Sequence, residues 1–516
     1  MFDVLAALPL VSLTPAARWA CLLLLASVIT VNAELTQPIK IETGLIQGVL
    51  NADKDVVAFK GIPYAAPPVG ELRWREPQPP LKWEGVRLAD TFGKRCPQVK
   101  FGTTNPVENT SEDCLFLNVW VPANASGKNL PVLFFVHGGC YQFGSGDFNG
   151  DGMAKKGIIL VTANHRLGSF NLMGHPELTK ESPLKSCSNY GSLDLIAALK
   201  WVQNNIAAFG GDPRKVTLSG QSTGSSNVHY LSASPLAKGL FRGLIAISFP
   251  YDFLMKPNAI GNMWQAEQSG LKLAQSKNIK TLEELRAIPA SELLKGVGGP
   301  TYRTPVYPDN YPTALSKGLV SDVPTITGMT SDDFDPPAQY DPYTTVDLFK
   351  TRVARKCPPE KLEQVLAQYP AKTAQEAKEM WKKISVEFRL ADIYHWAKKR
   401  AKTAKTPSYT YLFTQAQPLD PKRGAYHGAD MLYEFNNVAG SDKGWRDEDR
   451  QVAEQVSSYW VNFVKTGNPN GPGLPEWKAF DPADPSTMEL GKASGPRPIA
   501  ITKEAWKLLH EEERTL

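Results

Sequence analysis

The chain is short of cysteine, of histidine and of net charge, and it has one long apolar run; each shortage removes a class of protein. Six cysteines in 516 residues cannot build a scaffold held by disulfides, which needs several bridges in a short chain. There is no HExxH and no cysteine–histidine group at zinc spacing, so no metal is expected, and no organic cofactor either. A formal net charge of +5, without a concentrated basic stripe, argues against nucleic acid as a partner. The absence of internal repeats and low-complexity linkers excludes a solenoid and a long disordered region. No apolar tail closes the chain, which argues against a lipid-anchored ectodomain.

The apolar run covers residues 19–31. It falls short of the ~20 residues that a membrane-spanning helix needs. Arg18 precedes it, and Val31-Asn32-Ala33 follows the small-residue pattern of a cleavage site. Residues 1–33 are therefore expected to be a signal peptide cleaved after Ala33, with a secreted product that has no stable membrane anchor. The remaining 34–516 would form one domain. The whole chain is 42% hydrophobic, ample for a large core. Strand-like runs alternate with helical ones, as in 194–207 ahead of 215–218. That alternation predicts an α/β fold with a large, mostly parallel sheet and helices on both faces. Residues 270–410, richer in Lys, Ala and Glu, are expected to form helical cover over the mouth of a site.

The most informative residues are Gly220-Gln221-Ser222-Thr223-Gly224, a GxSxG that follows a β-rich run. A serine nucleophile needs a sharp strand-to-helix turn, with small residues two before and two after it, because strand and helix nearly touch there. The N–H of Thr223 would then face a developing oxyanion. Taken alone the motif is more often an ordinary turn with a capping serine. Upstream, another strand-like run ends in His137-Gly138-Gly139-Cys140, similar to the HGGG loop that supplies oxyanion N–H donors. The third glycine is replaced by Cys140, which can still donate its N–H if its φ stays negative. Tyr141, Gln142 and Phe143 are expected to line the mouth beside it.

A base and an acid must follow in the order Ser, acid, His. Of seven histidines, His427 lies in a glycine-flanked loop, 424–430, downstream of the serine. His229, His395 and His510 read as packing or surface residues, and His137 belongs to the oxyanion loop. Between serine and histidine, a strand-like run leads into Ser331-Asp332-Asp333-Phe334-Asp335. Spacing leaves Asp332, Asp333 and Asp335 all open as the acid.

Further segments extend the pattern along the chain: residues 59–65, Pro67-Pro68-Val69-Gly70, Leu72-Arg73-Trp74, residues 111–120, Asn189-Tyr190-Gly191, Phe209-Gly210-Gly211-Asp212-Pro213 and Thr466-Gly467-Asn468-Pro469-Asn470. With these motifs the chain resembles a type-B carboxylesterase over roughly residues 38–500. This α/β-hydrolase family includes cholinesterases, bile-salt lipases and fungal lipases. The resemblance implies one large domain with long insertions and the α/β-hydrolase fold. It puts the acid at Asp333, with Asp where Glu is commoner and Phe334 where the family has Gly. It puts the oxyanion donors at Gly139, Cys140 and Thr223, a structural ion pair at Arg73 and Glu112, and a disulfide between Cys96 and Cys114. Cys140 is then expected to be free, and a Cys187–Cys357 bond stays open without family support. Asn109-Thr110-Ser111 and Asn124-Ala125-Ser126 are glycosylation sequons, meaningful in a eukaryotic host.

The implied activity is hydrolysis of a small-molecule carboxylic ester through an acyl-enzyme on Ser222, with His427 as base and Asp333 as its orienting acid. Cholinesterases carry a tryptophan in the Cys96–Cys114 loop, where it binds a quaternary ammonium group. Here the only aromatic of that loop is Phe101, and Thr104 stands at the tryptophan's place. The residue before the nucleophile, usually Glu in the family, is Gln221. Both changes favour a neutral ester of modest size. A lipase acting on longer chains and an acyltransferase would use the same triad. A non-catalytic adhesion-type relative would be expected to lose a triad member.

Overall fold

The computed structural model describes residues 35 and 37–499, apart from 126, 249–260, 295–298, 334–343, 356, 358 and 439–443. The expected signal peptide 1–33, Phe334, Asp335 and His510 lie outside the described residues.

Strands are numbered along the chain. A small sheet joins β1 (Ile39–Ile41), β2 (Gly44–Gln47) and β5 (Val86–Leu88). The main sheet contains β3 (Val49–Leu50), β4 (Val56–Pro63), β6 (Phe116–Pro122), β7 (Leu130–Val136), β8 (Ile159–Ala163), β9 (Gly211–Gln221), β10 (Gly243–Ile247), β11 (Thr325–Thr330), β12 (Ser408–Phe413), β13 (Ser486–Leu490) and β14 (Gly495–Pro498). Their spatial order is β14-β13-β12-β11-β10-β9-β7-β8-β6-β4-β3. Every pairing from β8 through β7, β9, β10, β11 and β12 to β13 is parallel. The pairings at both edges are antiparallel.

Strands covered on both faces should be apolar throughout, with successive side chains pointing to opposite sides. In β7, Val132, Phe134 and Val136 enter one core while Leu133 and Phe135 enter the other. Each such side chain stabilises the fold by roughly 1.5–3 kcal/mol on burial. Helix α1 (Tyr190–Asn205) and helix α2 (Thr223–Ser232) cover the first face. Helix α4 (Asp447–Thr466) covers the second with Val452, Val456, Tyr459 and Phe463, an i, i+4, i+7, i+11 stripe. The predicted α/β architecture is thus the observed one.

Residues 270–410 hold a strand as well as helices. β11 crosses the middle of this stretch as a central strand. Helix α3 (Ala374–Ala401) starts with a capping box from Thr373 and Glu376. Its later half anchors Ile393, Trp396 and Ala397 in the main core. Its earlier half packs Ala377, Trp381 and Ile384 into a satellite core with Phe349, Val353 and Val365. Cys96 and Cys114 are bonded. Arg73 Nε donates to Glu112 at 2.7 Å, and its Nη1 donates to the carbonyls of Arg286 and Ile288. The pair thereby ties distant loops together. Cys187 and Cys357 are both buried and free, in separate cores, so the bond left open between them does not form.

Candidate active site

Parallel strands put their carboxyl ends on one edge, and ligands of open α/β sheets bind there. Val136 of β7 is opposite Gly220 of β9, Gln221 is opposite Ile247 of β10, and Ile247 is opposite Gly328 of β11. The three loops expected to carry an oxyanion hole, a nucleophile and an acid therefore leave the sheet side by side.

β9 passes into α2 through one residue, Ser222, with φ 59° and ψ −124°. A non-glycine residue at positive φ carries strain of about 1–3 kcal/mol. Glycine on both sides is obligatory. A Cβ on Gly220 would lie 2.4 Å from the Gly224 carbonyl oxygen, and one on Gly224 would lie 2.1 Å from that of Val136. The elbow is held by the Ser222 N–H donating to the Ile247 carbonyl at 2.9 Å. Thr223 opens α2, so its N–H has no acceptor within the helix.

The loop after β7 turns tightly, with the N–H groups of Gln142 and Phe143 both donating to the Gly139 carbonyl. Because the peptide is trans, the Cys140 N–H points the opposite way. Gly139 has φ 117°, and a Cβ there would lie 1.8 Å from the Phe143 carbonyl oxygen. A Cβ on Gly138 would meet Ser222 Cβ at 2.8 Å, so this loop lies directly against the elbow. Cys140 does not keep a negative φ, but its N–H direction is set by the 139–140 peptide, so the condition placed on φ is not the one that decides whether it can donate. Its φ is +55°, followed by +60° at Tyr141, because the chain must reverse within the 139–143 turn. Its thiol is free and exposed, as expected. Tyr141 is buried rather than at the mouth, and its carbonyl accepts the Gly168 N–H. Gln142 and Phe143 stay half-buried, and the Phe143 ring meets that of Phe101 at 5.1 Å.

His427 Nδ1 lies 2.5 Å from Asp333 Oδ1, with Asp333 fully buried. Asp332 makes a different set of contacts. It accepts the Ala425 N–H at 2.9 Å, gives its own N–H to the Ala425 carbonyl at 3.0 Å and lies 3.5 Å from Lys382 Nζ of α3. Gly424, at φ 62°, leaves room for this, since a Cβ there would meet the Asp332 carboxylate at 2.4 Å. Two adjacent aspartates thus divide the work: one anchors the histidine loop and the other meets the imidazole. Gln221 Nε2 lies 3.2 Å from His427 Nε2, which brings the residue beside Ser222 onto the ring's other nitrogen.

Burial by itself would lower the pKa of His427. The charge and hydrogen bond of Asp333, helped by the charge of Asp430, outweigh burial and Arg389 and hold it above its usual value. Burial would raise Asp333, but the charge and hydrogen bond of His427, with Arg389, hold it below the ordinary carboxylate value. Asp430 and Glu434, both fully buried behind the loop, are pushed upward by burial and by neighbouring negative charge.

Three other histidines are buried as neutral rings. His137, in the loop after β7, stacks on His165 at 4.5 Å, and His229 contacts the Tyr311 hydroxyl at 2.9 Å. Burial pushes them down to about 3, 4 and 3 respectively. Below the unfolded value of ~6.5 each loses stability at up to ~1.4 kcal/mol per pH unit. Asp430, Glu434 and Glu387, all with raised pKa values, act in the opposite sense. They hold protons in the fold that the unfolded chain releases above ~4.5. The two sets offset each other, so thermal stability should be nearly flat from about pH 6.5 to 4.5 and fall steeply below that. A decline that already begins at pH 6.5 would show that Asp430 and Glu434 are ionised in the native protein.

Sequence reasoning missed several residues around the ring. Asp430 lies in the quoted loop, three positions after His427, yet no pattern marks it as a buried charge. Arg389 comes from a lysine-rich helix that reads as surface. Gln221 was legible only as a lost charge. His175 caps a helix by accepting the Glu177 N–H. Among the described residues no group of three His, Cys, Asp or Glu side chains could hold a metal ion, and no helix is long and apolar enough to cross a membrane.

The fold and most of the sequence have counterparts in known proteins. The chain is similar to fumonisin B1 esterase of Sphingopyxis macrogoltabida, 32% identical over 472 residues, covering 85% of this chain and 84% of that one. It is 30% identical to para-nitrobenzyl esterase of Bacillus subtilis, covering 88% and 94%, and 31% identical to human cocaine esterase, covering 90% and 89%. A solved structure of PNB esterase superposes with a TM-score of 0.75 at 28% identity, covering 92% of this chain and 99% of that one. Residues 36–505 match the carboxylesterase family itself. With nearly the whole chain accounted for in this way, the protein belongs to the carboxylesterase family of α/β-hydrolases and is a carboxylic ester hydrolase.

Proposed function

We propose that this protein is a secreted serine esterase that cleaves neutral carboxylic esters of modest size through an acyl-enzyme on Ser222. The 2.5 Å contact of His427 with Asp333, beside the Gln221–Ser222 corner, carries this reading. An ionised Asp333 accepts the Nδ1 proton and leaves Nε2 as the basic nitrogen. His427 takes the Ser222 proton as Oγ attacks the ester carbonyl. The N–H groups of Gly139, Cys140 and Thr223 receive the oxyanion, each donor lowering the barrier by ~3 kcal/mol. The imidazolium then protonates the leaving alcohol, and a water activated by the same ring releases the acid.

Residues 34–516 act as one catalytic domain after removal of 1–33. The Cys96–Cys114 bond suits an oxidising compartment. Gln221 places no fixed negative charge beside the nucleophile, which favours a neutral substrate. One relative is named for para-nitrobenzyl esters, so aryl and benzyl esters are the first to try. Hydrolysis of p-nitrophenyl esters from acetate to palmitate should peak at short acyl chains. A peak at long chains would make the protein a lipase. Accumulation of a new ester when an alcohol is added would make it an acyltransferase.

A further inference from the structure

Gln221 meets the ring of His427 at the nitrogen that must accept the serine proton. The amide nitrogen lies 3.2 Å from His427 Nε2. With its Nδ1 proton held by Asp333, the neutral ring presents a lone pair at Nε2. An amide NH2 only donates, so it matches the neutral ring and opposes an imidazolium, whose Nε2–H has no lone pair to meet on that nitrogen.

The side chain occupies a slot that two glycines leave open. A Cβ on Gly138 would lie 2.7 Å from Gln221 Oε1, and one on Gly428, at φ 82°, would lie 3.5 Å from Gln221 Nε2. The amide thus bridges the oxyanion loop and the histidine loop, and the chain ties it to Ser222. The amide is turned with Nε2 toward the ring, and a half-turn would present Oε1 to a charged ring.

We propose that Gln221 is a positioning residue that keeps His427 a neutral base in the free enzyme and yields Nε2 to Ser222 when an ester enters. This rests on the proposed roles of Ser222 and His427. The other charged groups acting on the ring are Asp333 after β11, Asp430 in its own loop and Arg389 on α3. Gln221 is the neutral member of that set, and it acts on the nitrogen that Asp333 does not touch.

The test is titration of His427 by NMR with 15N-labelled histidine in the Ser222→Ala protein, followed by pH profiles of kcat/KM in enzyme that retains Ser222. Gln221→Glu is isosteric and places a carboxylate against Nε2. It should move the His427 midpoint up by at least about one pH unit. Gln221→Leu removes the donor and should move it up by about half a unit. The acid limb of kcat/KM should move with both. An unchanged or lowered midpoint in Gln221→Leu would overturn the proposal. If Gln221→Leu does not fold, Gln221→Met, which also removes the donor, is read in its place. The NMR titration needs no turnover, so it separates the two ideas. Loss of activity in Ser222→Ala with unmoved midpoints would sink only the role of Gln221. Full activity in Ser222→Ala would sink the serine mechanism.

Discussion

Ser222→Ala should lower kcat by roughly 10⁴–10⁶-fold and leave the protein folded. Removing one oxygen deletes the nucleophile but little else. Ser222 is 5% exposed, and alanine fits its space. The backbone bonds that hold the elbow, Ser222 N–H to the Ile247 carbonyl and Ser226 N–H to the Ser222 carbonyl, do not involve the hydroxyl. The strain of φ 59° is the same for alanine, so the melting temperature should move little. What survives would be the rate that the oxyanion donors and substrate binding supply without a nucleophile. The measurement is steady-state hydrolysis of p-nitrophenyl acetate together with a thermal melt. A kcat within tenfold of the parent would remove Ser222 as the nucleophile.

Asp333→Asn should cost about 10⁴-fold in kcat, the second largest effect. An asparagine amide nitrogen facing Nδ1 would force the ring proton onto Nε2, where the base needs a lone pair. The pH profile provides a second readout. Asp333 is the main influence raising His427 against burial. The parent's kcat/KM should therefore fall off below a midpoint that lies above the ordinary ~6.5. With the carboxylate gone, burial and Arg389 are opposed by Asp430 alone, and the midpoint should drop below the parent's. Asp332→Asn is the control. Its carboxylate holds the Ala425 N–H and faces Lys382, so its loss should loosen the loop and reduce the rate without that drop in midpoint. If Asp332→Asn or Asp335→Asn proves the more damaging and Asp333→Asn leaves the rate intact, the acid has been misassigned.

The strands and the elbow were legible because they rest on local rules. The run ahead of His137 is continuously apolar, as a strand buried on both faces must be, and the run ahead of Ser222 is short and β-rich, buried from Val216 to Gly220. The glycines at 220 and 224 are demanded by contacts of 2.4 and 2.1 Å that a sequence can only hint at. Cys140 defeated local reasoning. A cysteine at φ +55° goes against its own preference, and only the reversal between Gly139 and Phe143 imposes it. Tyr141 followed the same turn into the core. The open question of Cys187 and Cys357 depended on distance through space, which cysteine counts do not contain.

The sequence alone determined the α/β class, the order along the chain of the segments carrying His137, Ser222, Asp333 and His427, and the carboxylesterase resemblance. Each of these depends on neighbours within a few residues or on motif order. Spacing left Asp332, Asp333 and Asp335 open and the resemblance pointed to Asp333; the tertiary structure puts Asp333 against the imidazole and Asp332 against the Ala425 N–H, because the two occupy different faces of the turn. It alone brought Gln221 against His427, 206 positions away, and gathered Asp430 and Arg389 around the same ring. Electrostatic influence follows distance through space and burial, and in a sheet with this strand order those are set by how the strand ends converge.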